Sequence, residues 1–231
     1  MRILFDNLIF DATLTADSVN ANYPLTNLQN ESCKKIYMAT APSAVITVAL
    51  KTVSTVNCFY FGYTNATAVT LALYNASDVL LKTVPLNASH GGATFATTYT
   101  VSYAKLTLAG SDIIYMGIIG IGNNYKMPDP YNDVILKPID NSTRNYSSDG
   151  QKYTNYVNIL HQMDVTYKLK TLDIYTAVMA KWEVLRHSVW VEPYEENTGI
   201  INPIFCEVTM GDSPEQSDRL YTWKHNYREV R

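Results

Sequence analysis

Apolar residues recur at every second position through much of the first half of the chain, from 43 to 121. In the run SAVITVALK at 43–51, Ile46, Val48 and Leu50 fall on one side of an extended chain, because successive side chains of a strand point to opposite faces. Further runs follow at short intervals, and clusters of Asn, Ser, Gly and Thr separate them. The alternation therefore predicts an antiparallel β-sandwich.

The chain changes character after residue 121. The twelve residues GNNYKMPDPYND at 122–133 hold two prolines, one glycine and five Asn or Asp, a composition that favours turns over strands. We therefore expect one domain at 1–124 and a second at 125–231, with 125–131 as the hinge between them.

A second periodicity, with apolar residues at three- and four-residue steps, marks one helix in the second half: Leu172, Tyr175, Val178, Met179, Trp182 and Leu185. Asp173 near its start and His187 near its end suit the helix dipole. Strand-forming runs lie on both sides of this segment. The sequence therefore predicts a mainly β protein, in which a smaller α+β domain with one main helix at about 171–187 follows the sandwich.

The charge balance argues against nucleic acid as a partner. The 231 residues include 18 Lys or Arg and 21 Asp or Glu, for a net charge of -3, whereas nucleic-acid binders present a basic field. The longest apolar run, at 113–121, is about half as long as the roughly 20 residues of a membrane-spanning helix, so we expect no membrane insertion. Asp6 and Asp11 interrupt the apolar start of the chain, and no secretory signal is predicted there.

No pattern of reactive side chains predicts a catalytic, metal or cofactor site. The 3 cysteines form no CxxC pair and the 4 histidines lie in unrelated segments, which indicates free thiols and no zinc ligands. The HGG sequence at 90–92 is similar to a glycine-rich oxyanion loop, but the chain has no GxSxG nucleophile elbow. Glu192 and Glu195, beside Trp190, leave glycan hydrolysis open, although that reaction normally uses carboxylates on separate elements. We expect a protein that is not an enzyme and needs no cofactor.

Two interpretations of the abundant aromatic residues remain open. Tyr and Trp at strand ends can stack on sugars or bind a protein partner, but the same residues inside an antiparallel sheet often pack across strands. The candidates for contact with a partner or a glycan are Trp190, Tyr194, Tyr221 and Trp223.

The order of several motifs resembles a known family. The residues YPLTNLQNESCKKIYMAT at 23–40, then SAVITVALK and the turn GYTNAT, resemble the galactose-binding-like (discoidin-type) β-sandwich domains of tailed-bacteriophage virion proteins. The resemblance implies a jelly-roll sandwich in which Leu28 lies under the sheet, Asn27 caps a turn, and 36–38 return the chain to the core. In the second half, VTYKL, LDIYTAVMAKW and VWVEP look like a segment of phage tail-tip proteins.

This resemblance implies a non-enzymatic virion structural protein of the tail tip, the baseplate or an adaptor. Its partners would be other virion proteins and copies of itself. It would be made in the host cytoplasm, and its final location would be the virion. The alternative is a carbohydrate-binding module that attaches a particle to a host surface glycan through loop aromatics.

Overall fold

The structure, a computed structural model, describes the chain except for residues 33, 87–90, 129, 131–136, 141–142, 147–151, 156–158, 186–187, 194–199, 202, 211–213, 218–219 and 231. Strands fill most of the first 126 residues: β1 (Arg2–Leu4), β2 (Thr13–Ala16), β3 (Tyr37–Met38), β4 (Ser43–Gly62), β5 (Ala68–Tyr74), β6 (Leu80–Leu86), β7 (Gly92–Ala109), β8 (Tyr115–Met116), β9 (Ile118–Gly122) and β10 (Tyr125–Lys126). Short 3-10 helices lie between the early strands at Leu8–Asp11 and Leu25–Gln29.

The later part of the chain combines a helix with further strands. The helix α1 (Asp173–Leu185) lies among β11 (Lys137–Asp140), β12 (Thr143–Tyr146), β13 (Lys152–Asn155), β14 (Ile159–Leu169), β15 (Val189–Glu192), β16 (Ile200–Ile201), β17 (Ile204–Met210), β18 (Glu215–Ser217) and β19 (Leu220–Glu229).

The first sheet has the strand order β2–β4–β7–β5–β6, with β9 beside β4 and β16 beside β7. These strands pair antiparallel. The pairing of β4 with β7 loses register between Ala49 and Ser54 and again between Val56 and Cys58, and such bulges bend a strand. As a result β4 pairs with β2 before the irregular region and with β9 after it, and residues from both parts share one apolar core. The predicted antiparallel sandwich is confirmed.

The polar segment at 23–40 folds back onto this core as expected. Leu28 and Tyr37 are fully buried. The Nδ2 atom of Asn27 donates a hydrogen bond to the carbonyl oxygen of Ile36 at 2.8 Å, and so joins the two ends of the segment. Met38 lies in β3, which pairs with β8. The burial of Leu28 and the return of the chain to the core are therefore confirmed.

The second sheet has the order β10–β1–β15–β17–β19–β14–β11, with β18 beside β19. The helix α1 packs on this sheet through Val178, which is fully buried, and through Tyr175, whose ring centroid lies 5.1 Å from that of Trp223. The predicted α+β half with one main helix is confirmed. Of the predicted span, residues 186 and 187 lie outside the described residues.

The sheets exchange strands across residue 124. The N-terminal strand β1 pairs with β10 and β15 in the second sheet, and β16 pairs with β7 in the first. The N–H of Met127 also donates a hydrogen bond to the carbonyl oxygen of Met1 at 3.0 Å. The start of the predicted hinge at 125–131 therefore belongs to a sheet, and residues 129 and 131 lie outside the described part. The division into 1–124 and 125–231 stays a prediction.

An apolar cluster joins the two sheets: Leu4, Cys58, Tyr60, Ile118, Trp190 and Phe205. The indole ring of Trp190 lies against Gly120, where an added Cβ would come within 2.5 Å of the ring. A glycine is therefore required there for the sheets to approach closely. Cys58 and Cys206 are buried free thiols, as predicted, and burial raises the pKa of Cys58 to about 12.

Candidate ligand-binding cleft

A cleft of about 530 Å³ opens where the end of β9, the bulge of β4, the chain after β1 and the helix α1 meet. We call it the first cleft. Its lining combines amide, hydroxyl and charged side chains with two aromatic rings: Phe5, Asp6, Leu8, Val53, Ser54, Thr55, Asn123, Asn124, Tyr125 and Lys181. Polar groups that converge on one concave surface beside apolar side chains can fix the orientation of a small ligand.

The bulge of β4 forms one wall. Between Ala49 and Ser54 the pairing with β7 is interrupted, so Val53 projects outward with 52% of its surface exposed. The hydroxyl of Thr55 accepts a hydrogen bond from Nδ2 of Asn123 at 2.7 Å. The Oδ1 atom of Asn123 accepts no hydrogen bond within the described part of the chain, and Asn123 is exposed. A carbonyl acceptor therefore faces the open cleft.

A partly buried polar network fixes the neighbouring Asn124. Its Nδ2 atom donates to Oη of Tyr60 at 2.7 Å and to Oγ1 of Thr94 at 2.9 Å, and its backbone N–H donates to Oδ1 of Asn57 at 2.8 Å. The Thr94 hydroxyl in turn donates to Oε2 of Glu192 at 3.0 Å. Because burial raises the pKa of Tyr60 well above its ordinary value, the phenol stays protonated. The network holds the backbone at the cleft in one position.

The chain after β1 is fixed in a similar way. The side chain of Asn7 donates to the carbonyl oxygen of Ile119 at 3.1 Å and accepts from the N–H of Ile121 at 3.0 Å. An added Cβ on Gly122 would come within 2.6 Å of the carbonyl oxygen of Asp6. The chain at Asp6 therefore runs tightly along the end of β9, which sets the carboxylate at the cleft edge.

Aromatic rings supply the apolar surface of the cleft. Phe5 is 4% exposed, and its ring meets that of Tyr125 edge to face, with centroids 6.5 Å apart. The pairing of β10 with β1 places Tyr125 opposite Ile3. Tyr125 is only half-buried. Its ring is therefore positioned by the sheet and still accessible from the cleft.

The cleft carries one acidic and one basic side chain. Asp6 and Lys181 are both exposed. Across the described residues neither of them forms an ion pair or a side-chain hydrogen bond. A carboxylate acceptor and an ammonium donor are thus both available to a ligand.

The aromatic candidates from the sequence lie elsewhere, and two of them need correction. Trp190 and Trp223 are 2% and 0% exposed, so neither ring can stack on a ligand or a partner. Trp190 packs against Tyr60 and Phe205, with centroids at 5.8 and 5.4 Å. Trp190 lies in β15 and Trp223 in β19, and both strands belong to the second sheet. The face of that sheet on which each ring lies is covered by other side chains, which buries the ring.

Of the two remaining aromatic candidates, one packs against the core and the other lies outside the described residues. Tyr221 is half-buried, pairs with Leu169 across the second sheet and packs against its core. Tyr194 and Glu195 lie outside the described residues. Glu192 is 1% exposed and belongs to the network beneath the first cleft. The structure therefore does not place Glu192 on an open surface.

In the part of the chain that the structure describes, no group of three or more His, Cys, Asp and Glu is placed to hold a metal ion. None of the described helices is long and apolar enough to cross a membrane.

The sequence interpretation missed the cleft residues themselves. Asn123, Asn124 and Tyr125 were assigned to a turn, although they directly follow a strand in which every residue is buried. Polar residues at the end of such a strand emerge at the rim of the core, and this was the available signal. The bulge that exposes Val53 depends on pairing with β7 and has no local signature.

Comparison with known proteins assigns neither a family nor a ligand. No family model and no curated protein matches the sequence. Among solved structures, chitosan-binding module 1 of a chitosanase/glucanase from Paenibacillus sp. IK-5 aligns with 51% of this chain and 99% of its own, at 17% identity and a TM-score of 0.44. The family 32 carbohydrate-binding module of C. perfringens NanJ, in complex with galactose, aligns with 52% and 98%, at 13% identity and a TM-score of 0.45. The lectin domain of lectinolysin, complexed with Lewis B antigen, aligns with 50% and 95%, at 10% identity and a TM-score of 0.45.

Proposed function

We propose that this protein binds carbohydrate without turning it over, and that the sugar occupies the first cleft. The observation that carries the proposal is the lining of that cleft. A sugar ring offers hydroxyl groups that both donate and accept hydrogen bonds, together with an apolar face. The Asp6 carboxylate, the Asn123 amide and the Lys181 ammonium supply partners for the hydroxyls, and Tyr125 supplies a ring for the apolar face.

Rigidity supports the same proposal. The hydrogen bonds of Asn7 and Asn124 hold both sides of the cleft before any ligand arrives. A site that is already formed loses less conformational entropy on binding than a flexible one. Weak individual sugar contacts can then add up to specific recognition.

The acid groups of the cleft support binding without hydrolysis. Glycosidases use two carboxyl groups on either side of the scissile bond. Among the described residues that line the first cleft, Asp6 is the single carboxylate. Glu192 lies beneath it, enclosed by the network with Thr94.

The test is binding of the purified chain to a glycan panel that includes galactose, Lewis B antigen and chitosan, the sugars named with the similar structures, and pectin as an anionic polysaccharide. We expect saturable binding to at least one sugar and clearly weaker binding in Tyr125→Ala and Asp6→Asn. Tyr23→Ala is the matched control, because Tyr23 is 41% exposed and lies outside the cleft. Equal weakening by Tyr23→Ala and Tyr125→Ala, or no binding to any sugar, would refute the proposal.

A second candidate function is contact between subunits of a virion, either with copies of this chain or with other virion proteins. It is favoured by Val79 and Leu80, which are 53% and 51% exposed where the edge strand β6 begins. Exposed apolar residues on a sheet edge are typical of association sites. Sedimentation velocity over a range of concentrations tests it: self-association that Leu80→Asp abolishes would support it, and a monomer at all concentrations that also fails to bind purified virion proteins would exclude it.

A further inference from the structure

A second cleft lies directly beside the first. It has a volume of about 420 Å³ and lies between the loop after β5 and the middle of β7. The residues used in the argument are Val53, Asn75, Ser77, Thr98, Tyr99 and Thr100.

The two clefts share a boundary. Val53 lines both of them. Thr55, in the first cleft, stands opposite Thr100, in the second, in the antiparallel pairing of β4 with β7. Opposite Cα atoms in such a pair are about 4.5–5.5 Å apart. The clefts are therefore separated by a single strand spacing, with the side chain of Val53 at their border.

The second cleft repeats the chemistry of the first. Its half-buried Tyr99 is held edge to face by Phe95, with centroids 5.6 Å apart. The Oδ1 atom of Asn75 accepts hydrogen bonds from the N–H groups of Ser77 and Val79, both at 2.9 Å, which fixes the loop. Hydroxyl groups complete the lining. Each cleft thus combines one accessible tyrosine with amide and hydroxyl groups on a rigid frame.

Charge distinguishes the clefts. The first contains Asp6 and Lys181, whereas the described lining of the second contains no charged side chain. Charged groups of a ligand that crosses both clefts would therefore find charged partners in the first cleft.

We propose that the two clefts form one groove and that the ligand is a segment of a polysaccharide chain several sugar units long, rather than a single terminal sugar. This inference rests on the proposed carbohydrate-binding function and specifies its ligand class. Each cleft alone has the volume of a complete small-ligand site. Once one cleft is occupied, the neighbouring units of the same polymer reach the other at a high effective concentration. Affinity should therefore rise with chain length until both clefts are filled.

The experiment is calorimetric titration with oligomers of one to eight units prepared from chitosan and from pectin. For the wild type we expect the dissociation constant, corrected for the number of equivalent binding positions on each oligomer, to fall by about tenfold or more from the shortest bound oligomer to the plateau. Tyr125→Ala should weaken binding at every length. Tyr99→Ala should leave the affinity for the shortest bound oligomer unchanged and should remove the increase of affinity with oligomer length.

Controls separate folding from binding. Thr98→Arg places a long side chain in the second cleft at an exposed position, so it should reproduce the effect of Tyr99→Ala even if that variant folds poorly. Tyr23→Ala should match the wild type at all lengths. Binding that depends on Tyr125 but is independent of length overturns this inference and leaves the proposed function standing. Absence of binding to every oligomer and to the whole glycan panel overturns both.

Discussion

The first cleft and the core of the second sheet use similar side chains in opposite ways. At the cleft, Tyr125 is half-buried and the polar groups of Asp6 and Asn123 remain exposed. In the second sheet, Trp190 and Trp223 are almost completely enclosed by neighbouring rings. The difference lies in what packs on each face. Trp190 packs on Gly120 of the first sheet and Trp223 packs on Tyr175 of the helix, whereas the cleft residues lie at a strand end beside a bulge, where polar and aromatic groups reach the surface together. Four predictions test this contrast, beginning with the largest expected effect.

Truncation of the buried indole should have the largest effect on stability. Trp223→Ala removes a ring that contacts Tyr167, Tyr175 and His225, and we expect it to lower the free energy of unfolding by about 3–5 kcal/mol because a cavity remains. Urea denaturation measures the change. Tyr221→Ala, at the half-buried neighbouring position on the strand, should cost clearly less. A stable Trp223→Ala protein that had lost glycan binding would contradict the packing role.

The next prediction concerns the close approach of the two sheets. In Gly120→Ala the new Cβ would lie 2.5 Å from the ring of Trp190, so we expect a loss of about 1–3 kcal/mol from overpacking. Gly62→Ala is the matched control, because its Cβ would meet the same ring at 3.3 Å. Thermal unfolding compares the two variants. Equal midpoints for both would show that the sheets can separate without cost.

The buried imidazole of the second sheet should make stability depend on pH. Burial lowers the pKa of His225 to about 3, and its Nδ1 atom lies 2.8 Å from Oη of Tyr227. Below pH 6.5 the unfolded chain takes up a proton that the folded chain does not. The contribution of the neutral His225 to the free energy of unfolding is therefore fully present above about pH 6.5. It is lost as the pH falls towards 3, by at most about 1.4 kcal/mol per pH unit.

Urea denaturation at pH 7, 6 and 5 measures this slope. His225→Phe should reduce it by removing the titrating group. A slope identical in the variant and the wild type would mean that other groups cause the acid sensitivity.

The smallest effects on stability should come from the cleft. Asp6→Asn and Lys181→Met remove exposed charges without ion-pair partners in the described part of the chain, and we expect the free energy of unfolding to change by no more than about 0.5 kcal/mol. Sugar affinity should nevertheless fall on the order of tenfold, because hydrogen bonds to charged groups are among the stronger ones. Lys51→Met is the control, since Lys51 pairs with Asp11 at 3.5 Å outside the cleft. Destabilisation by the cleft variants, or loss of binding in Lys51→Met, would contradict the distinction between cleft side chains that serve binding and buried side chains that serve stability.

The general architecture could be predicted from the sequence because it depends on local periodicity. Alternating positions such as Ile46 and Val48 became the buried side of a strand. The change to helical spacing marked α1. Leu28 of the segment at 23–40 lies in the core, as the resemblance of that segment to galactose-binding-like domains implied. In each case neighbouring residues carry the signal.

The features that the sequence did not reveal depend on partners distant in the chain. The pairing of β1 with β15 joins residues almost 190 positions apart, and no local pattern specifies it. Trp190 could not be distinguished from a surface aromatic, because its burial depends on Gly120, Tyr60 and Phe205. The first cleft was missed for the same reason, since its walls come from four separate segments.

The most direct measurement is a nitrogen–proton correlation spectrum recorded during titration with a sugar that the chain binds. The side-chain amide signal of Asn123 and the backbone signal of Tyr125 should shift with the ligand, while the indole N–H signals of Trp190 and Trp223 stay in place. Shifts of the two indole signals with unchanged signals from Asn123 and Tyr125 would contradict the assignment of the cleft as the binding site and of the buried aromatics as its structural support.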